Sequence, residues 1–153
     1  MVVAWRTLKR WLSHLEARGE LIRITRPVDV TYEAGAIADL LVKNSGPAVI
    51  FEKPRLADGS ISEIPLAMNI FGTGERTLRA LGASHETEVG DRMVAMMKPE
   101  IGEFMKKPWK ALPLARDALA MPPWKKWRGK CQRVKMNLDL TKLPIPKTWP
   151  MDG

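Results

Sequence analysis

Few side chains in this sequence are of types that perform chemistry, and their spacing limits what they can do. The only histidines, His14 and His85, lie far apart in the chain with no cysteine or carboxylate at ligand spacing. A metal centre needs several converging ligands and a general base needs a group to orient it, so spacing alone makes neither histidine a metal ligand or a base. The single cysteine, Cys131, has Lys130 and Arg133 nearby, and cations lower the pKa of an exposed thiol. No histidine accompanies it, and a buried or incidental thiol is the simpler reading. Asp139 and Asp152 are single carboxylates without a paired partner. The turn Phe71–Arg76 carries Gly72 and Gly74, and backbone N–H groups at such a turn can hold an anion. Its spacing fits neither the dinucleotide fingerprint nor the Walker A loop, and no Lys-Ser/Thr follows, so a tight strand-to-helix connection is expected. The run Pro122–Lys130 sets Trp124 and Trp127 among lysines and an arginine. That pairs cations for phosphates with rings for stacking, but it names no groove-reading element. An exposed loop with anchoring tryptophans and solvated lysines is preferred, and a weak contact with an anionic membrane surface stays open. No catalytic, cofactor-binding or metal-ligating residue is nominated, because no self-contained active site can be assembled.

The elements that would position these residues come from hydrophobic spacing. Leu8, Trp11, Leu12 and Leu15 recur at i, i+3, i+4, i+7 and predict a helix from Ala4 to Leu15, stopped at Gly19. Leu21–Thr25 reads as a short strand closed by Pro27. A second helix is predicted over Tyr32–Lys43 with Ala34, Ile37, Leu40 and Leu41 on one face, weakened slightly by Gly35. Asn44-Ser-Gly46 ends it, and Pro47–Phe51 is a second strand. Asp58-Gly59 marks a turn and Ile64–Ile70 a third strand. Thr73 is placed to cap a helix over Glu75–Leu81 that stops at Gly82. A further helix is expected over Thr87–Met97. The order α-β-α-β-β-α-α predicts an α/β (α+β) fold, a small mixed sheet with packed helices. The first two strands would be parallel across a helical crossover.

Charge divides the chain. Residues 1–97 hold 12 Lys+Arg and 12 Asp+Glu, so the whole net charge of +8 falls in residues 98–153. That last third also carries eight of the twelve prolines and four of the six tryptophans, too many breaks for long regular elements. A Pro/Trp-rich arm is predicted there. It would have a short helix around Leu114–Leu119 stopped by Pro122-Pro123, a strand over Gln132–Met136, and an extended stretch from Leu138 to Pro146. The expected division is an N-terminal α/β domain, residues 1–98, and a connector arm, residues 99–153. The length suits one hydrophobic core, the lone cysteine excludes a disulfide scaffold, and no apolar run is long enough for a membrane span. The start has charges where a signal peptide keeps its apolar stretch, so a cytoplasmic protein is expected. The abrupt end at Trp149-Pro-Met-Asp-Gly153 reads as an interrupted sequence.

Several blocks together resemble a known family. Thr7–Ile24 resembles the start of UbiD-type decarboxylases, as does Glu33-Ala-Gly-Ala-Ile-Ala-Asp39. Gly46-Pro-Ala-Val-Ile-Phe-Glu52 and Met68-Asn-Ile-Phe-Gly-Thr-Gly-Glu-Arg76 look like the next two blocks, in order. Met121-Pro-Pro, Arg128-Gly-Lys-Cys131, Asp139–Pro146 and Trp149–Gly153 continue the match, so the resemblance covers nearly the whole chain. It is nearest to the branch that includes 3-octaprenyl-4-hydroxybenzoate carboxy-lyase of ubiquinone biosynthesis.

The resemblance implies an enzyme that decarboxylates aromatic or unsaturated acids with prenylated FMN, a divalent metal such as Mn, and potassium. It implies an N-terminal α/β domain, a split-barrel flavin-binding domain and a C-terminal domain that oligomerises, with the full-length enzyme a homo-oligomer. The family's glutamate–arginine–glutamate set and its Asn/His/Glu metal ligands follow the Trp-Pro-x-Asp block. They match no position here, and neither Asn69 nor Asn137 is the metal-ligating asparagine. The chain alone is therefore expected to be inactive and to hold no cofactor. Its expected partners are the remaining domains of the decarboxylase or a homologous subunit, not a specific nucleic acid. The alternative is a non-enzymatic subunit or regulatory module that docks on a flavin-domain partner.

Overall fold

The structure, a computed structural model, describes Trp5, residues 7–97, Leu112, Leu119, Gly129, Arg133 and residues 139–152. Helix α1 (Leu8–Ala17) begins where the Thr7 hydroxyl accepts the Arg10 amide at 3.3 Å, which satisfies one of the donors a helix start leaves open. It ends at Arg18, and Gly19 follows at φ 70°, a conformation that costs glycine little. Strand β1 (Leu21–Asp29), helix α2 (Glu33–Lys43) and strand β2 (Ala48–Arg55) make a β-α-β unit whose strands are parallel, as expected. Leu21 stands opposite Ala48 and Ile24 opposite Phe51. Strand β3 (Leu66–Met68) adds antiparallel to the other edge of β2, giving a mixed sheet in the order β1-β2-β3. Helix α3 (Gly74–Ala80) follows, then α4 (Glu86–Met97).

Because β2 is the middle strand, both its faces are covered. Ala48 and Ile50 pack with Trp11, Leu15 and Leu21 on one side, while Val49 and Phe51 pack with Val28 and Ala34 on the other. Helix α1 thus covers one face and α2 the opposite one. Side chains alternate along a strand, so four consecutive apolar residues are what a doubly covered strand requires.

Four local details differ from the sequence expectation. Strand β1 continues through Pro27 instead of stopping there, with a register shift between Ile24 and Pro27. An edge strand tolerates a residue without an N–H, and a bulge absorbs it. The third strand shrinks to Leu66–Met68. In α2 the buried residues are Ala34, Gly35 and Ala38, and Leu40 is 62% exposed. Small residues let another segment come close: a Cβ on Gly35 would sit 3.2 Å from the Thr148 hydroxyl. Finally, the stretch expected to be extended opens with a 3-10 turn at Leu140–Lys142. Asp139 starts that turn by accepting the Thr141 amide at 3.1 Å and its hydroxyl at 2.6 Å.

Residues 143–148 run back to the sheet as a strap. Lys147 bridges Thr31 in parallel fashion, donating to the Val30 carbonyl at 3.0 Å while its own carbonyl accepts Tyr32 N–H at 2.8 Å. Met1–Gly82 with Leu138–Gly153 form one compact unit, and Ala83–Asn137 form a second. In the second unit Glu88 accepts the Ser84 amide at 2.8 Å and pairs with Arg92. The predicted helix at 114–119 and strand at 132–136 lie, but for single residues, outside the described residues. Among the described residues no helix is long and apolar enough to cross a membrane.

Two outcomes follow from this packing. Phe51 is fully buried, so Phe51→Ala should cost about 3–5 kcal/mol, read as a lower urea midpoint. The second concerns acid. The Asp29 amide and then Arg26 hold the Glu33 carboxyl below its usual value of 4.5. Arg23 does the same for Glu16, and the Ser84 amide with Arg92 for Glu88. Depressed folded values mean that this stability is present above about pH 4.5 and is lost as pH falls through the folded values. The urea midpoint should therefore hold level down to about pH 5 and then drop, and Glu33→Gln should make the drop shallower.

Candidate functional site

The block from Asn69 to Arg76 joins β3 to α3, and each residue type in it has a local cause. Asn69 adopts φ 57°, which asparagine tolerates better than most residues. Its side-chain amide donates to the Pro47 carbonyl at 2.8 Å and the Gly46 carbonyl at 3.3 Å. A Cβ on Gly72 would lie 1.5 Å from Asn69 Oδ1, so only glycine fits. The Thr73 hydroxyl caps α3 by accepting the Arg76 amide at 3.2 Å. The glycine-rich turn is thus a tight strand-to-helix connection, as expected.

Arg76 is the unexpected member. It is only 3% exposed. Its Nη2 donates to the Gly46 carbonyl at 2.7 Å and its Nε to the Thr73 hydroxyl at 3.2 Å, while Nη1 is buried without a partner. Burial pushes its pKa down, opposed by the attraction of Glu20 and reinforced by Arg79. Glu20 is itself engaged by Arg18 at 2.7 Å and Arg79 at 2.6 Å, and Arg79 also holds Glu75 at 2.6 Å. Desolvation raises the pKa of Glu20, but the two arginines outweigh it and the net direction is down. These residues surround a polar pocket of about 330 Å³, lined by Glu20, Ser45, Gly46, Thr73, Glu75 and Arg76.

A second, apolar cleft of about 510 Å³ lies among Trp5, Leu8, Trp11, Phe71, Ala80 and Leu81. Trp11 stacks on Phe71 with centroids 5.9 Å apart and meets Trp5 edge-on at 5.0 Å. The indole N–H groups reach backbone carbonyls, Trp11 that of Ile70 and Trp5 that of Arg79, each at 3.3 Å. This satisfies their polar edges and leaves the rings to line the cleft.

The other residues weighed from the sequence take structural places. His14 lies on α1 against Trp5 and Trp11, its Nε2 buried without a partner. His85 is exposed just before α4, in the other compact unit. Asp139 caps its turn, and Asp152 accepts the amides of Thr148 at 2.9 Å and Trp149 at 2.7 Å. Cys131, Asn137 and the basic run Pro122–Lys130, apart from Gly129, lie outside the described residues. Among the described residues no three His, Cys, Asp or Glu side chains are gathered to hold a metal. Sequence reasoning named Arg76 only as part of a block. The available signal was its place four residues before Ala80, on the face of α3 that packs inward.

Comparison with known proteins places this geometry. Residues 12–96 match the family model described as the 3-octaprenyl-4-hydroxybenzoate carboxy-lyase N-terminal domain. Among solved structures, the chain is similar to an evolved dimeric form of the UbiD-class enzyme HmfF from Pelotomaculum thermopropionicum in complex with prFMN. That likeness has a TM-score of 0.50 and 22% identity, over 61% of this chain and 20% of that one. HmfF from the same organism in complex with FMN gives a TM-score of 0.49 and 23% identity, over 60% of this chain and 19% of that one. The chain thus spans about a fifth of the length of these enzymes.

The stitching at Gly46 makes a sharp expectation. Gly72→Ala should displace Asn69 and cost about 1–3 kcal/mol through lost buried hydrogen bonds. In an Asn69→Gly background, which keeps the backbone conformation and removes the obstacle, the same Gly72→Ala change should cost little. Urea denaturation of the four proteins measures the cycle, and additive costs would contradict the contact.

Proposed function

We propose a function from one premise: this chain belongs to the UbiD family, whose N-terminal domain its residues 12–96 match. It is the N-terminal part of a UbiD-like decarboxylase, and it serves the whole enzyme as a rigid lobe, not as the seat of chemistry. The observation that carries this reading is the span of the family match. It begins in α1 and ends in α4, and so takes in the whole sheet and the Asn69–Arg76 block.

In the fuller reading, the enzyme uses prenylated FMN to decarboxylate an aromatic or unsaturated carboxylic acid such as a 4-hydroxybenzoate derivative. The cofactor acts as electron sink and the protein orients the acid and excludes water. The HmfF structure in complex with prFMN supports a flavin in the family. The described residues of this chain do not themselves suit the flavin or its metal. They gather no ligand set, and in their polar pocket Glu20 and Glu75 stand beside Arg76 and would repel a doubly charged phosphate. In this reading flavin, metal and potassium are held by the other domains of the enzyme. Residues 1–98 are the N-terminal domain and residues 99–153 the connector toward the flavin-binding domain, rooted where Lys147 pairs with Thr31. The apolar cleft beside Trp5 and Trp11 is a surface that another domain of the same enzyme would cover.

The test compares the 153-residue chain alone, a UbiD-class flavin-binding portion lacking its own N-terminal domain, and the two joined in one polypeptide. Release of CO2 from an aromatic acid is followed with prenylated FMN supplied. The chain alone should be inert and the joined protein active well above the flavin portion. Decarboxylation by the chain alone, or a joined protein no more active than its flavin portion, would overturn the reading. Activity on simply mixing the two would instead favour the separate-module alternative.

A further inference from the structure

The polar pocket beside Arg76 holds a charge that the fold leaves unanswered. A guanidinium stays protonated in proteins, and its five N–H groups are all donors. Arg76 is almost wholly buried, yet it meets only a carbonyl and a hydroxyl, and its Nη1 has no partner. Among the described residues no carboxylate bonds to it: Glu20 is taken by Arg18 and Arg79, and Glu75 by Arg79. A buried cation without an anionic hydrogen-bond partner is costly, and a native structure that keeps one calls for an explanation. Across Arg18, Arg76, Arg79, Glu20 and Glu75, three guanidiniums stand against two carboxylates, leaving one positive charge.

We propose that this pocket binds a single carboxylate group through Arg76. One negative charge completes the local balance, whereas a dianion would be repelled by Glu20 and Glu75. A carboxylate is planar and matches the forked face of a guanidinium. The volume of about 330 Å³ admits a small acid or the end of one acidic side chain. Its outer wall is made of the exposed residues Gly19, Ser45 and Glu75. This inference does not rest on the family reading, because it uses only burial, charge and hydrogen bonding within one compact unit.

The test uses the full 153-residue chain uniformly labelled with 15N and follows the arginine side-chain Nε–Hε signals by NMR. Sodium acetate is titrated against sodium chloride at matched ionic strength. The Arg76 signal should shift saturably with acetate, while those of Arg26 and Arg55 show only the drift that chloride produces. Arg76→Lys keeps the charge and loses the fork. It should weaken acetate binding at least tenfold, read at the amides of Ser45 and Gly46, while Arg26→Gln changes nothing. An unsaturated drift common to all arginines would overturn the proposal, as would undiminished binding by Arg76→Lys. Should that variant fail to fold, the parent titration decides alone. Two further arms give the source and class of the anion. A blocked tripeptide with one glutamate that binds tenfold tighter than acetate assigns the site to a protein side chain, and equal binding assigns it to a small acid. Inorganic phosphate binding tighter than acetate would overturn the assignment to a carboxylate.

Discussion

Strand β2 has no face left for solvent, and the rest of the lobe is arranged around that constraint. Ala48, Val49, Ile50 and Phe51 are all buried, alternate ones pointing to opposite layers. A strand of this kind needs a helix on each side, and α1 and α2 supply them with different chemistry. Helix α1 brings large side chains, Trp11 and Leu15, to one face, whereas α2 brings Ala34, Gly35 and Ala38 close to the other. Because β1 and β2 are parallel, the chain must cross over between them, and α2 is that crossover. Register is equally constrained, since slipping β2 by one residue would exchange its two sets of side chains between layers of different shape.

The two ends of the parallel pair are put to different uses. At the starting end, Glu20 and Gly46 line one pocket, and the Ala48 amide donates to the Glu20 carbonyl at 2.8 Å. Here the Gly46 carbonyl collects both Asn69 and Arg76, so the loop before β2 and the loop after β3 share one acceptor. At the finishing end, Thr31 and Tyr32 receive the strap at Lys147, and Thr148 fits against Gly35. One end gathers charge, and the other fixes the segment that returns from the second compact unit. The fold thereby separates a polar pocket from the place where the strap is anchored.

Much of the lobe was legible because its signals are local. Gly19, Gly59 and Gly82 all take positive φ at predicted stops or turns, and Thr73 caps its helix as predicted, whereas Thr7, read as lying inside the first helix, is its cap. Periodicity placed α1, α2 and α4 within a few residues of their true ends. The errors share a cause, which is tertiary contact overriding local preference. Pro27 stays in β1 because that strand is an edge, which a one-dimensional reading cannot know. Gly35 reads as a weak point in a helix until Thr148, remote in sequence, is found against it. Leu40 fits the apolar period yet faces out, because the buried stripe follows the small residues. The polar pocket was illegible for the same reason: its walls come from three separate stretches, around Glu20, Gly46 and Arg76, that only folding assembles.

The Asn69–Arg76 block shows how a recognisable pattern can belong to structure and still leave something over. The left-handed turn and two backbone carbonyls account for Asn69, the lack of room beside Oδ1 accounts for Gly72, and the start of α3 accounts for Thr73. Arg76 is only partly accounted for. Its bond to Gly46 could be made by a lysine, a smaller charge on a flexible stem, and the Thr73 hydroxyl already has its capping role. What a lysine would lack is a planar fork with a further N–H, and that further N–H is the one without a partner. The part of the block that the fold does not use is therefore the part that distinguishes arginine from its nearest substitute. Within the lobe that N–H makes no bond, whereas a bound carboxylate would give it a partner.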